Sequence, residues 1–463
     1  MSSLGLALGL PFGRGQSTGG AVDPGLALLQ SATLWLDASN PGADSQKLAN
    51  RGTGGSVLDA RFGSTTGVDT NDPLLLTHTG TNYLYLPGIS GNYCTVPDSA
   101  ALGITGDIDL RVRVSLADWT PTTDMGFITK DSSGREYAFG VNATAGTLYL
   151  YWWNSGATFT QVNSSVAPTV TDGGELDVRA TLDVDNGASG RDVKFWTKSV
   201  ATPLSDNSGW TQLGTTSTAA GVSSIRDTAD LVGIGGRDGG NFLNGSVYRA
   251  MILNGIDGTT VFDADFTANS NQSSFTESSS NAATVTINRT TSGRKSVMVV
   301  RPTLLFGTDD YLEVADNDLL DFAAGESLSV VAVMRQHATP PNFAVVAYKV
   351  LSAGYIVQNN GTAQGMSVLV NDGTYVPNTT SGNPSAGSRK MMALIRDVVA
   401  DQVLAYNGST AGTPATDTTT ATLANTGSLF VGAYNDMELD TLVVFRSALT
   451  SIELGQIATY LGI

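Results

Sequence analysis

Hydrophobic and polar residues alternate most cleanly between Asp107 and Val114. Ile108, Leu110, Val112 and Val114 fall on one side, and Asp107, Asp109, Arg111 and Arg113 on the other. A period of two with charges opposite predicts an antiparallel strand with one buried face and one wet face. The segment leading into it, NYCTVPDSAALGIT, returns as DYLEVADNDLLDFAAG some 218 residues further on. Tyr93 aligns with Tyr311, Val96 with Val314, Asp98 with Asp316, Leu102 with Leu320 and Ile104 with Phe322. Ile108 and Leu110 then align with Leu328 and Val330 after a small slip. A strand–turn–strand unit repeated at domain-sized spacing implies two copies of one domain type.

The same patterning continues in chain order. ATLWLDAS (32–39) and NYLYLPG (82–88) read as strands, and GTLYLYWW (146–153) is strongly β. In the last, Leu148, Leu150 and Trp152 share one face and Tyr149, Tyr151 and Trp153 the other. Two aromatic faces predict core on one side and, on the other, either a covering loop or chain or a stacking platform for sugar rings. LDVRATLDV (176–184) runs into Asp185-Asn186-Gly187, a hairpin signal, and DVKFWT (192–197) returns. Asp183 and Asp185 are read as turn formers rather than an acid–base pair. Leu429–Gly432 and Leu439–Phe445 repeat Leu231–Gly235 and Gly245–Met251. At the end, Thr450 and Glu453 form a capping-box pattern opening a short helix, with Ile452, Ile457, Tyr460 and Leu461 approximating its apolar face. The boundaries that follow are an extended arm at 1–27, opening strands at 28–70, a first sandwich at 71–267, a Ser/Asn-rich linker at 268–282 and a second sandwich at 283–463.

Composition narrows the class. Gly is abundant at 53 residues, and charged residues are 14%, against roughly 25% in an ordinary globular chain. With many short β-branched runs, this predicts an all-β protein. The net charge of −17 excludes a nucleic-acid-binding surface, which needs a basic patch. Cys94 is the one cysteine and is read as a structural thiol; the two histidines, His78 and His337, lie in no metal-ligand spacing. No apolar run reaches the ~18 residues of a membrane span. Met1–Gly20 does not read as a signal peptide, because no Lys or Arg precedes its apolar run and Pro11 breaks it. Leu4, Leu6, Leu8, Leu10 and Phe12 alternate with small residues, so the arm reads either as a disordered tail or as an extended anchor in a partner's groove, with Leu6, Leu8, Leu10, Pro11 and Phe12 as the anchoring candidates.

TLLFGTDDYLEV (303–314) and FRSALTSIELGQI (445–457) resemble the laminin-G-like, concanavalin A-like jelly-roll superfamily. YLPGISGNYCTVPDSAALGITGDIDLRVRV, LDVDNG and VFDADFT are similar to domains of virion proteins, minor tail or fibre type, from phages of actinobacteria. The resemblance implies two concanavalin A-like (laminin-G-like) jelly-roll sandwiches with an N-terminal arm and a short C-terminal helix. ATLWLDAS with LANRGTGG also resembles the opening of this family, normally continued by the segment that here starts at 303. The first jelly roll is therefore expected to be inserted into the second.

Chemistry enters sparsely. No Gly-x-Ser-x-Gly elbow, His-Glu-x-x-His or P-loop occurs, nor the Glu-x-Asp-x-x-Glu strand motif that the resemblance links to glycoside hydrolysis. The expectation is a non-enzymatic protein without a required cofactor. The resemblance marks Asp238 and Asn241, with Asn435 and Asp436 in the equivalent loop, as positions to inspect for Ca²⁺. Tyr149, Tyr151 and Trp153 are the glycan-stacking candidates. The functional expectation is a virion structural protein, a minor tail or tail-fibre protein attaching to host-surface glycan. A capsid decoration or head-fibre protein is the second reading and a secreted carbohydrate-binding adhesin the third. The expected partners are other virion proteins through the arm and further copies of the chain, a trimer by resemblance.

Overall fold

The computed structural model describes residues 22–42, 44, 46–290, 293–336, 342–349, 353–360, 366–372, 375–379, 389–408, 410–433 and 435–463. The arm candidates Leu6, Leu8, Leu10, Pro11 and Phe12, and His337, lie outside the described residues. The fold is all-β with antiparallel sheets, as the alternation requires. The chain divides into two compact units: Thr81–Val300, and Met1–Gly80 together with Arg301–Ile463.

In Thr81–Val300, one sheet runs Phe159–Asn163, Leu148–Trp153, Tyr137–Val141, Met125–Lys130, Val232–Ile234, Cys94–Val96, Thr284–Ile287, Ser274–Thr276. The second is centred on Ile108–Leu116, flanked by Glu175–Asp183 and Asn244–Asn254. Leu110, Val112, Phe139, Leu150, Trp152 and Phe262 are among the side chains filling the space between them. The boundaries expected from sequence shift here. The stretch 268–282 is not a linker, because Ser274–Thr276 pairs with Thr284–Ile287, which pairs with Cys94–Val96. Val297–Val299 likewise pairs with Tyr83–Pro87, so the segment up to residue 300 completes this unit rather than opening the next.

The charged side of Ile108–Leu116 is not wet. Asp109 and Arg111 are fully buried. Arg111 and Arg179 each donate to both Asp109 and Asp257, giving two cations and two anions in one cluster. Segment 199–210 covers it, with Trp210 within 5.8 Å of Arg111 and 5.6 Å of Arg179 and Ser205 O accepting from Arg111. Burial of such charges is tolerable because they are mutually paired and hydrogen-bonded.

In the other unit, Leu34–Pro41 pairs with Met437–Phe445 (Leu34 with Val444, Leu36 with Leu442) and with Lys47–Asn50. The strand Leu328–Gln336 lies between Arg389–Asp397 and Met437–Phe445. A second ladder runs Tyr375–Thr379, Met366–Asn371, Gly354–Asn360, Asn342–Lys349, Leu429–Val431, Leu312–Val314, Ala60–Phe62. Helix α1, Pro24–Ser31, starts inside what reads as an arm in the sequence; Asp23 caps it, accepting from Gly25 N at 2.8 Å, and Pro24 occupies its first turn. Helix α2, Ser451–Leu461, carries the expected capping box between Thr450 and Glu453. Its buried side chains are Leu454 and Ile457; Ile452 is 73% exposed, so the apolar face is rotated from the expected one. α1 and α2 cover the sheet through Leu29, Leu454 and Ile457 against Trp35, Val331 and Val443.

The two units repeat each other at single residues. Asp98 pairs with the buried Lys130 at 3.0 Å, and its counterpart Asp316 pairs with the buried Lys349 at 2.7 Å. Val96 and Val314, Leu102 and Leu320, Ile104 and Phe322 all sit in the cores.

Candidate functional site

The outward face of the sheet in Thr81–Val300 holds the expected aromatic row. Leu148, Leu150 and Trp152 point into the core, so Tyr149, Tyr151 and Trp153 project from the opposite side. On the neighbouring strand Tyr137–Val141 the outward positions are Ala138 and Gly140. At Gly140 a Cβ would lie 2.1 Å from Met125 O and 2.6 Å from the Tyr149 hydroxyl, so only glycine fits between the neighbouring strand and that ring. Tyr149 and Tyr151 stack in parallel, centroids 5.6 Å apart and planes 4° from each other. Their hydroxyls reach a polar row: Tyr151 donates to Asp131 at 2.6 Å, Arg237 donates to the same carboxylate at 2.9 Å, and the Asn241 amide donates to the Tyr149 hydroxyl at 3.3 Å. Burial pushes both phenols well above the ordinary tyrosine range.

The row is not uniformly available. Tyr149 is 1% exposed and Tyr151 8%; Asn241 bonds the Tyr149 hydroxyl, and the Phe159 ring packs on Tyr151 with centroids 5.5 Å apart. The loop-cover reading applies to Tyr149, which is not a surface for a ring to rest on. Trp153 is half-buried, and beside it stands Phe159, 46% exposed, with centroids 5.1 Å apart and planes 54° from each other. Trp153 is paired with Phe159 in register, which is why the two rings meet. Sequence reading did not single out Phe159, although the alternation Phe159, Gln161, Asn163 beside a Tyr/Trp strand was the available signal.

Arg135 completes the group, its guanidinium 5.1 Å from the Trp153 ring. It sits at φ +62, an uncommon backbone state for a side chain of this size. The turn that holds it is organised by Asp230, whose carboxylate accepts from the N–H groups of Ser132, Gly134 and Arg135 at 2.8–2.9 Å and from the Ser132 hydroxyl at 2.8 Å. Burial works to raise the Asp230 pKa; the hydrogen bonds from Ser132, Gly134 and Arg135 outweigh it and bring it down to about 2.

The calcium positions do not converge. Asp238 is exposed, and Asn241 is taken up by Tyr149 and by its carbonyl bond to Gly126 N at 2.8 Å. Asn435 is buried, accepting from Gln336 at 2.8 Å and donating to Val345 O at 3.3 Å, while Asp436 accepts from Thr308 at 3.3 Å. Among the described residues no group of three or more His, Cys, Asp or Glu side chains is arranged to hold a metal ion. Cys94 is buried and its thiol pushed up by that burial, a structural thiol. Asp183 and Asp185 accept from the N–H groups of Asp185 and Gly187, both at 3.2 Å, as turn formers do. No helix among the described residues is long and apolar enough to cross a membrane.

No family model and no curated protein sequence matches the chain. Solved structures do match by shape. Domains LG4-5 of the mouse laminin α1 chain match at 10% identity, over 82% of this chain and 90% of that one, with a TM-score of 0.27. The LG1-3 region of the laminin α2 chain matches at 10% identity, over 80% and 63%, with a TM-score of 0.30. A Trypanosoma rangeli sialidase in complex with the inhibitor DANA matches at 10% identity, over 73% and 94%, with a TM-score of 0.27. The antiparallel β architecture is carried by the strand pairing of this chain itself.

Proposed function

We propose that this chain is a carbohydrate-binding attachment protein that binds saccharide on the outward sheet face of Thr81–Val300. The observation that carries this reading is the pair of half-buried Trp153 and exposed Phe159, with Arg135 against it and the Tyr151–Asp131–Arg237 row behind. Sugar rings present an apolar face and a rim of hydroxyls. Flat aromatic rings take the first, and the exposed Arg135 guanidinium takes the second. The reading assigns binding, with no residue given a chemical step. The segments that resemble actinobacteriophage virion proteins support placing the protein on a phage particle. There it would serve as a minor tail or tail-fibre component, with host-surface glycan as ligand and further virion proteins as partners.

A glycan array followed by calorimetry on the full chain tests the site. Trp153→Ala should weaken saccharide binding about tenfold or more, equal to about 1.4 kcal/mol, with little change in Tm because the ring is half-buried. Binding that is unchanged in this variant removes the site, and no binding to any saccharide removes the function. Cryo-electron microscopy of intact virions tests the placement: density for the chain on the tail supports it, and density on the capsid selects the decoration reading.

A further inference from the structure

The strand Phe159–Asn163 is the outer edge of its sheet, and its free side carries a complete set of unused backbone groups. The register with Leu148–Trp153 pairs Tyr149 with Asn163 and Trp153 with Phe159. Ser164 N donates to Leu148 O at 2.7 Å and Asn154 N to Thr158 O at 3.0 Å. Those bonds flank the two pairs, so both are of the type that exchanges no hydrogen bonds within itself. The N–H and C=O groups of Phe159, Gln161 and Asn163 therefore point away from the sheet.

Free edges of this kind are normally guarded by a charge, a proline, a bulge or a very short strand. The equivalent edge strand of the other unit, Tyr375–Thr379, contains Pro377. Other strands that end these sheets, such as Ser274–Thr276 and Leu74–Leu76, have three residues. Phe159–Asn163 has five, pairs without a bulge and contains neither proline nor charge. It lies within residues 137–171, which hold no Asp, Glu, Lys or Arg in a chain whose net charge is −17. Elsewhere that charge opposes the approach of a second copy; this stretch contributes none of it. Phe159 and Val166 are 46% and 48% exposed along the same strip.

We infer that this edge pairs with the same edge of a second copy of the chain, antiparallel about a two-fold axis at Gln161. Gln161 then faces Gln161 of the second copy and Phe159 faces its Asn163. All are positions with outward backbone groups, so three donors and three acceptors on each strand close about six N–H···O bonds. The contact is isologous and complete at two copies, in place of the trimer expected from resemblance. The two Trp153–Phe159 pairs come onto one continuous sheet face.

Analytical ultracentrifugation of the full chain should show a concentration-dependent dimer. Hydrogen exchange should show the Phe159, Gln161 and Asn163 amides slowed on dimerisation. Gln161→Pro removes an outward donor without removing a bond to Leu148–Trp153, and Gln161→Lys sets like charges opposite each other at the axis. Both should give monomer at every concentration with Tm close to the parent. A parent that stays monomeric, a trimer, or a dimer whose three amides exchange freely each overturns the inference. If Gln161→Pro fails to fold, the exchange data on the parent and Gln161→Lys decide.

Discussion

At the scale of single residues, the candidate site depends on a side chain set behind it. Asp230 holds the 132–135 turn, the turn holds Arg135 at φ +62, and Arg135 lies over Trp153. Its folded-state pKa of about 2 is below the ordinary carboxylate value of 3.8. A depressed pKa contributes stability that is present above the ordinary value and lost as pH falls towards the folded one. Order in this turn, read by Trp153 fluorescence or by saccharide affinity, should be flat from neutrality to about pH 4 and fall between about 4 and 2. Asp230→Asn should lower affinity at neutral pH and flatten that acid limb. If the parent and the variant titrate alike, Asp230 does not position Arg135. The residues around it were unevenly legible. Tyr149, Tyr151 and Trp153 stand out in the sequence as an aromatic face, but which of the three meets solvent depends on what packs against each, Asn241 at Tyr149 and Phe159 at Tyr151. Asp230 is one acidic residue among many until the fold brings the turn onto it.

At the scale of elements, the strands follow from alternation, and the surprises lie in what covers them. Ile108–Leu116 and Leu328–Gln336 are equivalent strands with different cover. The first carries paired charges under segment 199–210; the second carries Val331 and Val333 under α1 and α2. Alternation reveals a polar face without revealing whether it meets water or a partner charge. The start of α1 was legible in Asp23-Pro24, an N-cap followed by proline in the first turn, although the surrounding Gly/Leu-rich run reads as an arm. Its residue Gly25 permits close approach to α2: a Cβ there would lie 2.3 Å from Gln456 O and 2.8 Å from Tyr460 Cβ. Gly25→Ala should therefore destabilise the unit by about 1–3 kcal/mol through overpacking, despite alanine's better helix propensity. Urea unfolding measures it; an unchanged or raised midpoint would mean that the helices part easily.

At the scale of the whole molecule, one sandwich interrupts the other, and local pairing explains how. Leu74–Leu76 pairs with Thr303–Leu305, and Tyr83–Pro87 pairs with Val297–Val299. Each unit thus brings together the two points where the chain leaves and returns, the condition under which insertion leaves both cores intact. Thr81–Val300 expressed alone should fold with a cooperative thermal transition in circular dichroism. The remaining chain, with Gly80 joined to Arg301 by a short Gly/Ser linker, should do the same. Failure of both would mean that neither core closes without the other. The all-β class, the repeat and the capped C-terminal helix can be read without coordinates, because they rest on side-chain period, on internal similarity and on residues within one turn of each other. Tertiary structure decided where one unit ends, what covers each sheet and which ring of the aromatic row is free. Those depend on hydrogen bonds, charge pairing and close packing between residues distant in the chain, and no local pattern encodes them.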